Sequence, residues 1–463
     1  MTFELADMRP EMGPLAVPYT PGMTIARTCG ATLALTLLIA PAVARAELEP
    51  LERRLVEEVG AHNDAALALL ERTVDINSGT LNLDGVRRVG RVFAEELEKL
   101  GFTTRWVDGA AFERAGHLVA ERSGAAGTDP HLLLIGHLDT VFESDSPFQR
   151  FELLDARRAR GPGVIDMKGG DVVMLYALRA LAAVGALDAL RVTVVMTGDE
   201  ERSGAPLELA RQALVEAAQG ADAAIGFEDG DGDPSTAVIS RRGSSSWTLE
   251  VDGVPAHSSL VFREDVGAGA VYEAARILTR FYQELRSEPN LTFNPGLVLG
   301  GTDVDYDAGQ ARGTAFGKTN VVAESAVVVG DLRALSPEQY ARAVAKMRAI
   351  VADHLPRTEA ELTFSEGYPA LAPTDGNRRL LALYDRTSRD LGFGAVRAVD
   401  PLMAGAADVS FVAGIVPMVL DGIGLMGDDG HTVNETADLR TLASQTQRAA
   451  VFLYRLGESL RSR

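Results

Sequence analysis

The sequence is poor in cysteine, in basic residues and in long apolar runs. Its only cysteine, Cys29, lies in an N-terminal segment that resembles an export signal. A chain that loses this segment has no disulfide framework and no thiolate, so a bound metal must be held by histidine and carboxylate. The 45 lysines and arginines face 65 aspartates and glutamates, a net charge of −20 that argues against binding to nucleic acid.

The rest of the composition is that of a folded protein, with 46% hydrophobic and 24% charged residues. At roughly 100 to 200 residues per domain, the length predicts about two domains.

The N-terminal apolar run extends from Ala31 to Ala40 and is followed by the small residues Ala44 and Ala46. It is shorter than the roughly 20 apolar residues that a membrane-spanning helix needs, and the small residues suit cleavage before Glu47. We therefore expect residues 1–46 to be a signal peptide and the mature protein to be periplasmic or secreted, with no membrane attachment. An uncleaved N-terminal anchor is the alternative.

Short apolar runs alternate with helical patterns along much of the chain. The predicted strands are 131–135, 191–196, 223–227 and 416–420, and the predicted helices are 170–187, 207–218 and 439–456. This alternation is typical of an α/β fold with a mixed, mostly parallel sheet covered by helices.

A second pattern lies between these segments. Residues 246–251 and 321–332 alternate polar and apolar side chains, as strands with one wet face do. Helical patterns at 267–285 and 337–354 accompany them. We therefore divide the chain into a catalytic domain of residues 47–242 and 367–463 and an inserted, smaller α+β domain of residues 243–366.

Polar residues follow four of the apolar runs. The four segments are LLLIGHLD (132–139), VTVVMTGDEE (192–201), AAIGFED (223–229) and PMVLDGIG (417–424), the last followed by His431. A glycine-rich turn at 161–170 adds Asp166 immediately before a helix. Because ligands gather at the carboxyl ends of strands in open α/β sheets, these segments are expected to meet in one crevice.

Such a crevice would hold many like charges. Its carboxylates would be Asp139, Asp166, Asp199, Glu200, Glu201 and Glu228. They cannot all stay ionised a few ångströms apart without compensation. Three histidines, His137, His257 and His431, lie in or near these motifs, and histidine with carboxylate suits Zn²⁺. The charges of two Zn²⁺ would balance three ligating carboxylates and a hydroxide, which predicts a two-metal hydrolytic site.

Six motifs then carry a resemblance to a known family. They are HLDTV (137–141), GPGVIDMKGG (161–170), TGDEE (197–201), FED (227–229), PAHSS (255–259) and the late His431. In this order and spacing they resemble the co-catalytic zinc family of acetylornithine deacetylase, succinyl-diaminopimelate desuccinylase, aminoacylases and bacterial glutamate carboxypeptidases. NSGTLNLDGV (77–86) makes the chain most similar to the glutamate carboxypeptidase branch.

The resemblance implies roles for individual residues. It implies two Zn²⁺ per chain, with Co²⁺ or Mn²⁺ as alternatives, bridged by Asp166. His137 and Glu228 would complete one metal site, and Glu201 and His431 the other. It also implies a cis peptide after Asp166 and an inserted domain that acts as a lid or forms a homodimer.

Further roles concern catalysis and substrate. The strand geometry lets Asp139 orient His137, two residues away on the same face. Glu200, adjacent to Glu201, would face the attacking water and act as the general base.

By resemblance His257 would stabilise the oxyanion, across a dimer or a closed cleft, while Asn320 and Arg333 would hold the substrate carboxylate. Asp408 has a counterpart near the family's pocket but no role that we assign.

Each motif alone has a simpler explanation. His137 and Asp139 could instead be a polar pair in a solvated loop. Glu200 and Glu201 could lie at an exposed helix N-terminus, where the helix dipole favours negative charge. His257 could instead be a solvated loop histidine, and Arg333 part of a surface ion pair.

One departure from the family bears on the substrate. Glutamate-releasing enzymes are expected to carry an arginine at the return hinge, where this chain has SEGYP (365–369). Without that guanidinium a terminal glutamate side chain loses its best partner, and Tyr368 would suit a less charged side chain.

The sequence therefore predicts an exported two-zinc metallopeptidase of the carboxypeptidase type, acting on a small peptide or N-acyl amino acid. The alternatives are an N-acyl amino acid deacylase and a catalytically inactive binding protein of the same fold.

Overall fold

The computed structural model describes residues 48–127, 129–365 and 367–462. The predicted signal peptide, its cleavage site and Cys29 lie outside these residues. The helices are α1 Pro50–Ala61, α2 Asn63–Val74, α3 Leu83–Lys99, α4 Lys168–Ala183, α5 Leu207–Ala217, α6 Ala270–Leu285, α7 Pro337–Val351, α8 Asp375–Leu391 and α9 Arg440–Arg461. Within the part of the chain that the structure describes, no helix combines the length and the apolar character needed to cross a membrane.

The strands follow the same chain order. They are β1 Thr103–Asp108, β2 Gly116–Arg122, β3 His131–His137, β4 Glu152–Leu153, β5 Arg158–Arg160, β6 Arg191–Thr197, β7 Ala223–Gly226, β8 Thr236–Ala237, β9 Gly243–Gly253, β10 Thr292–Gly301, β11 Asp303–Asp307, β12 Arg312–Phe316, β13 Ser325–Ala334, β14 Thr358–Phe364, β15 Arg397–Ala398, β16 Val419–Leu420, β17 Gly427–Asp428 and β18 Thr436–Asp438.

The larger sheet has six strands in the order β1-β2-β6-β3-β7-β16. The pairs β6·β3, β3·β7 and β7·β16 are parallel, whereas β1·β2 and β2·β6 are antiparallel. Every residue of β3 is buried, as expected for a parallel strand covered on both faces. The predicted α/β fold with a mostly parallel sheet is confirmed.

Helices cover both faces of this sheet. Helix α4 is buried along almost its whole length and packs with α9 in the largest hydrophobic cluster. Helix α5 packs in a separate cluster on the other face through Ala213 and Leu214. The carboxyl ends of β3, β6 and β7 are left between these layers, and the polar motifs follow them.

The smaller sheet is antiparallel, in the order β10-β13-β9-β14. Burial alternates along β9 and β13, so one face packs and the other is wet. Helices α6 and α7 cover the packed face around Trp247, whose ring meets Phe281 edge-on at 6.0 Å between centroids. The strand predicted at 321–332 begins at Ser325, and neither β10 nor the β11–β12 hairpin was predicted.

The chain enters and leaves the smaller sheet through two neighbouring segments. Isolated antiparallel bridges join Ser244 to Tyr368 and Arg241 to Leu371. We call residues 241–244 and 368–371 the paired hinge. Beside it lies a cavity of about 730 Å³ whose lining includes Arg211, Tyr340, Tyr368 and Phe411.

Candidate metal centre

The site is built from residues that follow the ends of parallel strands. His137 is the last residue of β3, Glu200 and Glu201 follow β6, and Glu228 follows β7. Asp166 lies on the turn before α4. Because three of these strands are neighbours and parallel, their carboxyl ends meet at one edge of the sheet.

The first part of the cluster surrounds His137, which is 1% exposed. Its Nε2 lies 3.0 Å from Oδ1 of Asp166 and 3.6 Å from Oε1 of Glu228. The Asp166–Met167 peptide is cis, as the resemblance implied.

The second part surrounds His431, on the loop between β17 and β18. Its Nε2 lies 2.8 Å from Oδ2 of Asp166 and 3.1 Å from Oε2 of Glu201. The two oxygens of Asp166 therefore face two different histidines. One potential ligand atom from each of His137, Asp166 and Glu201 lies within 4.8 Å of the others.

The carboxylates of the cluster are crowded in a largely buried setting. Burial and neighbouring carboxylates raise the pKa of Glu200 and of Glu228 well above the ordinary value. The same causes, burial and Asp166, raise the pKa of Glu201 to about 7. Negative charge is thus strongly disfavoured here unless a cation compensates it.

The histidines respond in the opposite direction. Hydrogen bonds to Asp166 and Glu201 raise the pKa of His431 to about 11. Burial opposes a charged His137, but Glu228, Asp139 and Asp166 still raise its pKa well above the ordinary value.

The donor set fits a divalent metal. Among the residues that the structure describes, Oε1 of Glu201 is buried and has no hydrogen-bond partner. Such an atom is costly to bury unless an ion or a water satisfies it. Two imidazole nitrogens and three carboxylates at these separations are ligands typical of Zn²⁺.

Asp139 holds the backbone that carries the two glutamates. Its carboxylate, fully buried, accepts the N–H of Glu200 at 3.0 Å, the N–H of Glu201 at 3.2 Å and the hydroxyl of Thr80 at 2.6 Å. Nδ1 of His137 lies closer to the main-chain carbonyl of Asp139, at 3.1 Å, than to its carboxylate, at 3.5 Å. Asp139 therefore orients both the imidazole and the Glu200–Glu201 segment.

Three predicted site residues lie apart from this cluster. His257 is exposed, and its Nδ1 is 2.8 Å from Oγ of Ser259. Asn320 is exposed, and its carbonyl accepts the N–H of Ser258 at 2.9 Å. Arg333 is half-buried and pairs with Asp331 at 3.0 Å. Among the described residues, none of the three has a hydrogen bond or ion pair with the cluster.

A buried network of ion pairs lies next to the site, and it was not predicted from the sequence. Arg211, 1% exposed, pairs with Asp199 at 2.6 Å and with Asp408 at 2.8 Å. Asp199, predicted to face the crevice, is instead held in this network. Nothing in the sequence distinguished Arg211 from a solvated arginine on an amphipathic helix.

Tyr368 joins this network to Glu200. Its hydroxyl accepts an N–H of Arg211 at 2.7 Å and donates to the main-chain carbonyl of Glu200 at 2.8 Å. The hydroxyl also lies 3.1 Å from Oγ of Ser203. The return segment of the paired hinge thereby contacts the loop that carries Glu200.

Comparison with known sequences finds a matching protein family and related proteins. Residues 133–455 match the family described as peptidase family M20/M25/M40. Carboxypeptidase G2 of Pseudomonas sp. (strain RS-16) is 25% identical over 403 residues, which cover 85% of this chain and 89% of that protein.

Structure comparison gives neighbours with the same fold. Aminopeptidase PepT of Bacillus cereus superposes with a TM-score of 0.66 at 18% identity, over 87% of this chain and 98% of that one. A Bacillus subtilis protein described as a dinuclear metal binding peptidase from the M20 family gives 0.61 at 16% identity, over 86% and 99%.

Proposed function

This chain belongs to peptidase family M20/M25/M40, and we propose that it is a two-zinc hydrolase that cleaves an amide or peptide bond next to a C-terminal amino acid. One observation carries the proposal: the two oxygens of Asp166 face His137 and His431, with Glu228 on one side and Glu201 on the other. Asp166 would bridge the two ions, and the remaining four residues would supply the other ligands of the two metal sites.

When bound, two such ions would supply Lewis acidity that lowers the pKa of water and polarises an amide carbonyl. Glu200 would then act as the general base. Its carboxylate takes a proton from the attacking water as the water oxygen adds to the carbonyl carbon. It returns that proton to the amide nitrogen as the carbon–nitrogen bond breaks.

The supports of Glu200 suit this role. Asp139 binds its N–H and Tyr368 binds its carbonyl, so the backbone that carries the carboxylate is held from both sides. Burial, the largest cause, raises its pKa well above the ordinary value of 4.5, which makes the carboxylate a stronger proton acceptor.

Metal analysis and a base variant test the proposal together. Purified protein is expected to hold about two zinc equivalents per chain. Glu200→Gln is expected to keep both while losing turnover. Protein without metal, and without activation by added Zn²⁺ or Co²⁺, would reject the two-zinc site, whereas near-normal turnover in Glu200→Gln would reject only the base.

We also propose that the protein is a homodimer in which residues 243–366 form the dimerisation domain. His257 is exposed and apart from the cluster of its own chain, which fits a role in the site of a second copy. Mixing inactive Glu200→Gln with inactive His257→Ala tests this. Activity that returns on mixing supports a shared site, and its absence with stable mixed dimers argues for a site within one chain.

A deacylase remains the second candidate for the substrate. Tyr368 stands at the hinge where a glutamate-releasing enzyme would carry a guanidinium, and its hydroxyl is already bound to Arg211 and Glu200. A relative named succinyl-diaminopimelate desuccinylase, from Rhodopseudomonas palustris (strain TIE-1), is 33% identical over 184 residues, or 36% of this chain and 45% of that protein. Hydrolysis of peptides ending in glutamate, peptides ending in apolar residues and N-acyl amino acids would separate the candidates.

Export is part of the same proposal. The apolar run 31–40, followed by Ala44 and Ala46, supports a signal peptide and a periplasmic or secreted enzyme. N-terminal sequencing of exported protein should begin at Glu47, and a start far from this residue would contradict it.

A further inference from the structure

Glu435 is a buried carboxylate that the proposed reaction does not use. It lies four residues after His431, immediately before β18, and is 0% exposed. Strand β18 pairs with β5, which leads into the turn that carries Asp166.

The carboxylate of Glu435 binds the backbone of that turn. Its Oε2 accepts the N–H of Gly163 at 3.0 Å. Its Oε1 accepts the N–H of Ile165 at 2.9 Å and that of Asp166 at 3.3 Å. Both oxygens are therefore occupied by three donors from four consecutive residues.

This arrangement fixes the turn in position and in orientation. Backbone N–H groups that converge on one carboxylate form short, directional bonds. Gly163 has φ +73°, a left-handed backbone conformation that glycine adopts without the strain that a side chain would bring. Asp166 thus has its own N–H tied to the segment that carries His431.

The other metal-facing residues have different supports. His137 ends a fully buried strand and contacts Asp139. The N–H of Glu228 is bound by Asp421 at 3.3 Å. Neither support involves Glu435, so its loss would leave His137 and Glu228 held, whereas the site of His431 would be disturbed through both Asp166 and His431.

We propose that Glu435 is a positioning residue that sets the separation between Asp166 and His431, and thereby the affinity of the metal site shared by Asp166, His431 and Glu201. This inference rests on the proposed function, since it assumes that these residues bind metal. Residues that hold metal ligands in place affect metal affinity about 10- to 100-fold, and we expect a loss of that size at one of the two sites.

The test compares Glu435→Gln and Glu435→Asp with Glu52→Gln in the full-length protein. The Gln variant keeps the side-chain length but turns an amide NH₂ toward a backbone donor, and the Asp variant is too short to reach all three donors. Glu52 is a matched control, because it is also a buried glutamate but lies on α1, apart from the cluster. It is 3% exposed and forms an ion pair with Arg455 at 2.6 Å.

The readouts are zinc retained against a chromophoric chelator and the visible spectrum of Co²⁺-loaded protein. Both Glu435 variants are expected to release one of two equivalents about 10- to 100-fold more readily, with an altered Co²⁺ spectrum. The control should retain both equivalents.

Three results would overturn the inference. If the Glu435 variants hold both zinc equivalents as tightly as the wild type does, Glu435 has no role in metal affinity. An equal loss in Glu52→Gln, at matched thermal stability, would show that the effect is general destabilisation. A wild-type protein that binds no metal would instead reject the proposed function itself, and the inference with it.

Discussion

Replacing Tyr368 with phenylalanine removes one hydroxyl and leaves the ring in place. The hydroxyl donates to the carbonyl of Glu200 at 2.8 Å and accepts from Arg211 at 2.7 Å. Arg211 keeps its bonds to Asp199 and Asp408, so the new unpaired group is the Glu200 carbonyl. Losing a hydrogen bond in this part-buried position costs about 0.5–1.5 kcal/mol, and we expect the free energy of unfolding to fall by about that amount.

Activity should fall through kcat. Glu200 would keep its N–H bond to Asp139 but lose the bond on its carbonyl side. If about 1.4 kcal/mol of this loss is felt in the transition state, kcat falls about tenfold while KM changes little. Stopped-flow or steady-state hydrolysis of the best substrate measures both constants.

The control is Tyr340→Phe. Tyr340 lines the same hinge cavity and meets Phe364 edge-on at 6.3 Å between ring centroids, and its hydroxyl has no hydrogen bond among the described residues. It should change kcat and stability little. If kcat of Tyr368→Phe stays within about twofold of the wild type, the hydroxyl does not position Glu200 for turnover. If KM rises instead, Tyr368 contacts the substrate.

Three further predictions concern the surroundings of the site. Glu200→Gln should lower kcat about 10²- to 10⁴-fold with the fold intact by circular dichroism, because it cannot accept a proton; a smaller loss would point to another base. Arg211→Leu should lower the free energy of unfolding in urea by about 3–5 kcal/mol, because it leaves Asp199 and Asp408 as buried charges, and a loss under about 1 kcal/mol would contradict that network. Burial lowers the pKa of His117 below 6.5, so the unfolded chain takes up a proton at this histidine more readily than the folded protein does; the stability that it contributes should fall as the pH drops below 6.5. Unfolding at pH 7.5 and 5.5 should show a weaker pH dependence in His117→Gln, and an unchanged slope would assign it to other groups.

The fold and the cluster were largely predictable because their signals are local. Apolar runs of strand length, each ending in acidic residues or histidine, located β3, β6 and β7 and the residues that follow them. Because neighbouring parallel strands have their carboxyl ends at one edge of the sheet, the positions of these runs in the sequence were enough to predict that the ends meet. Strand 416–420 was predicted too long, since only Val419 and Leu420 pair with β7.

The rest depended on contacts between distant segments. Arg211 and Asp408 are 197 positions apart, and Glu435 and Gly163 are 272 apart, so no spacing in the sequence links them. Strand β10 was missed because Pro295 and Gly296 interrupt its pattern, at the point where its register with β13 shifts. Tyr368 was assigned to the substrate side because its partner, a main-chain carbonyl, has no signature in the sequence.

The paired hinge has a consequence for the architecture of the chain. Ser244 and Tyr368 are bridge partners, so the polypeptide departs and comes back at adjacent points, about 5 Å apart in any antiparallel bridge. Residues 245–367 between them, which we call the excursion, leave the six-stranded sheet and return to it at this one place. A two- or three-residue turn could therefore replace the excursion without changing the order of the strands in that sheet. Truncated forms of this enzyme, or grafts that exchange the excursion for that of a relative, are therefore feasible at this junction.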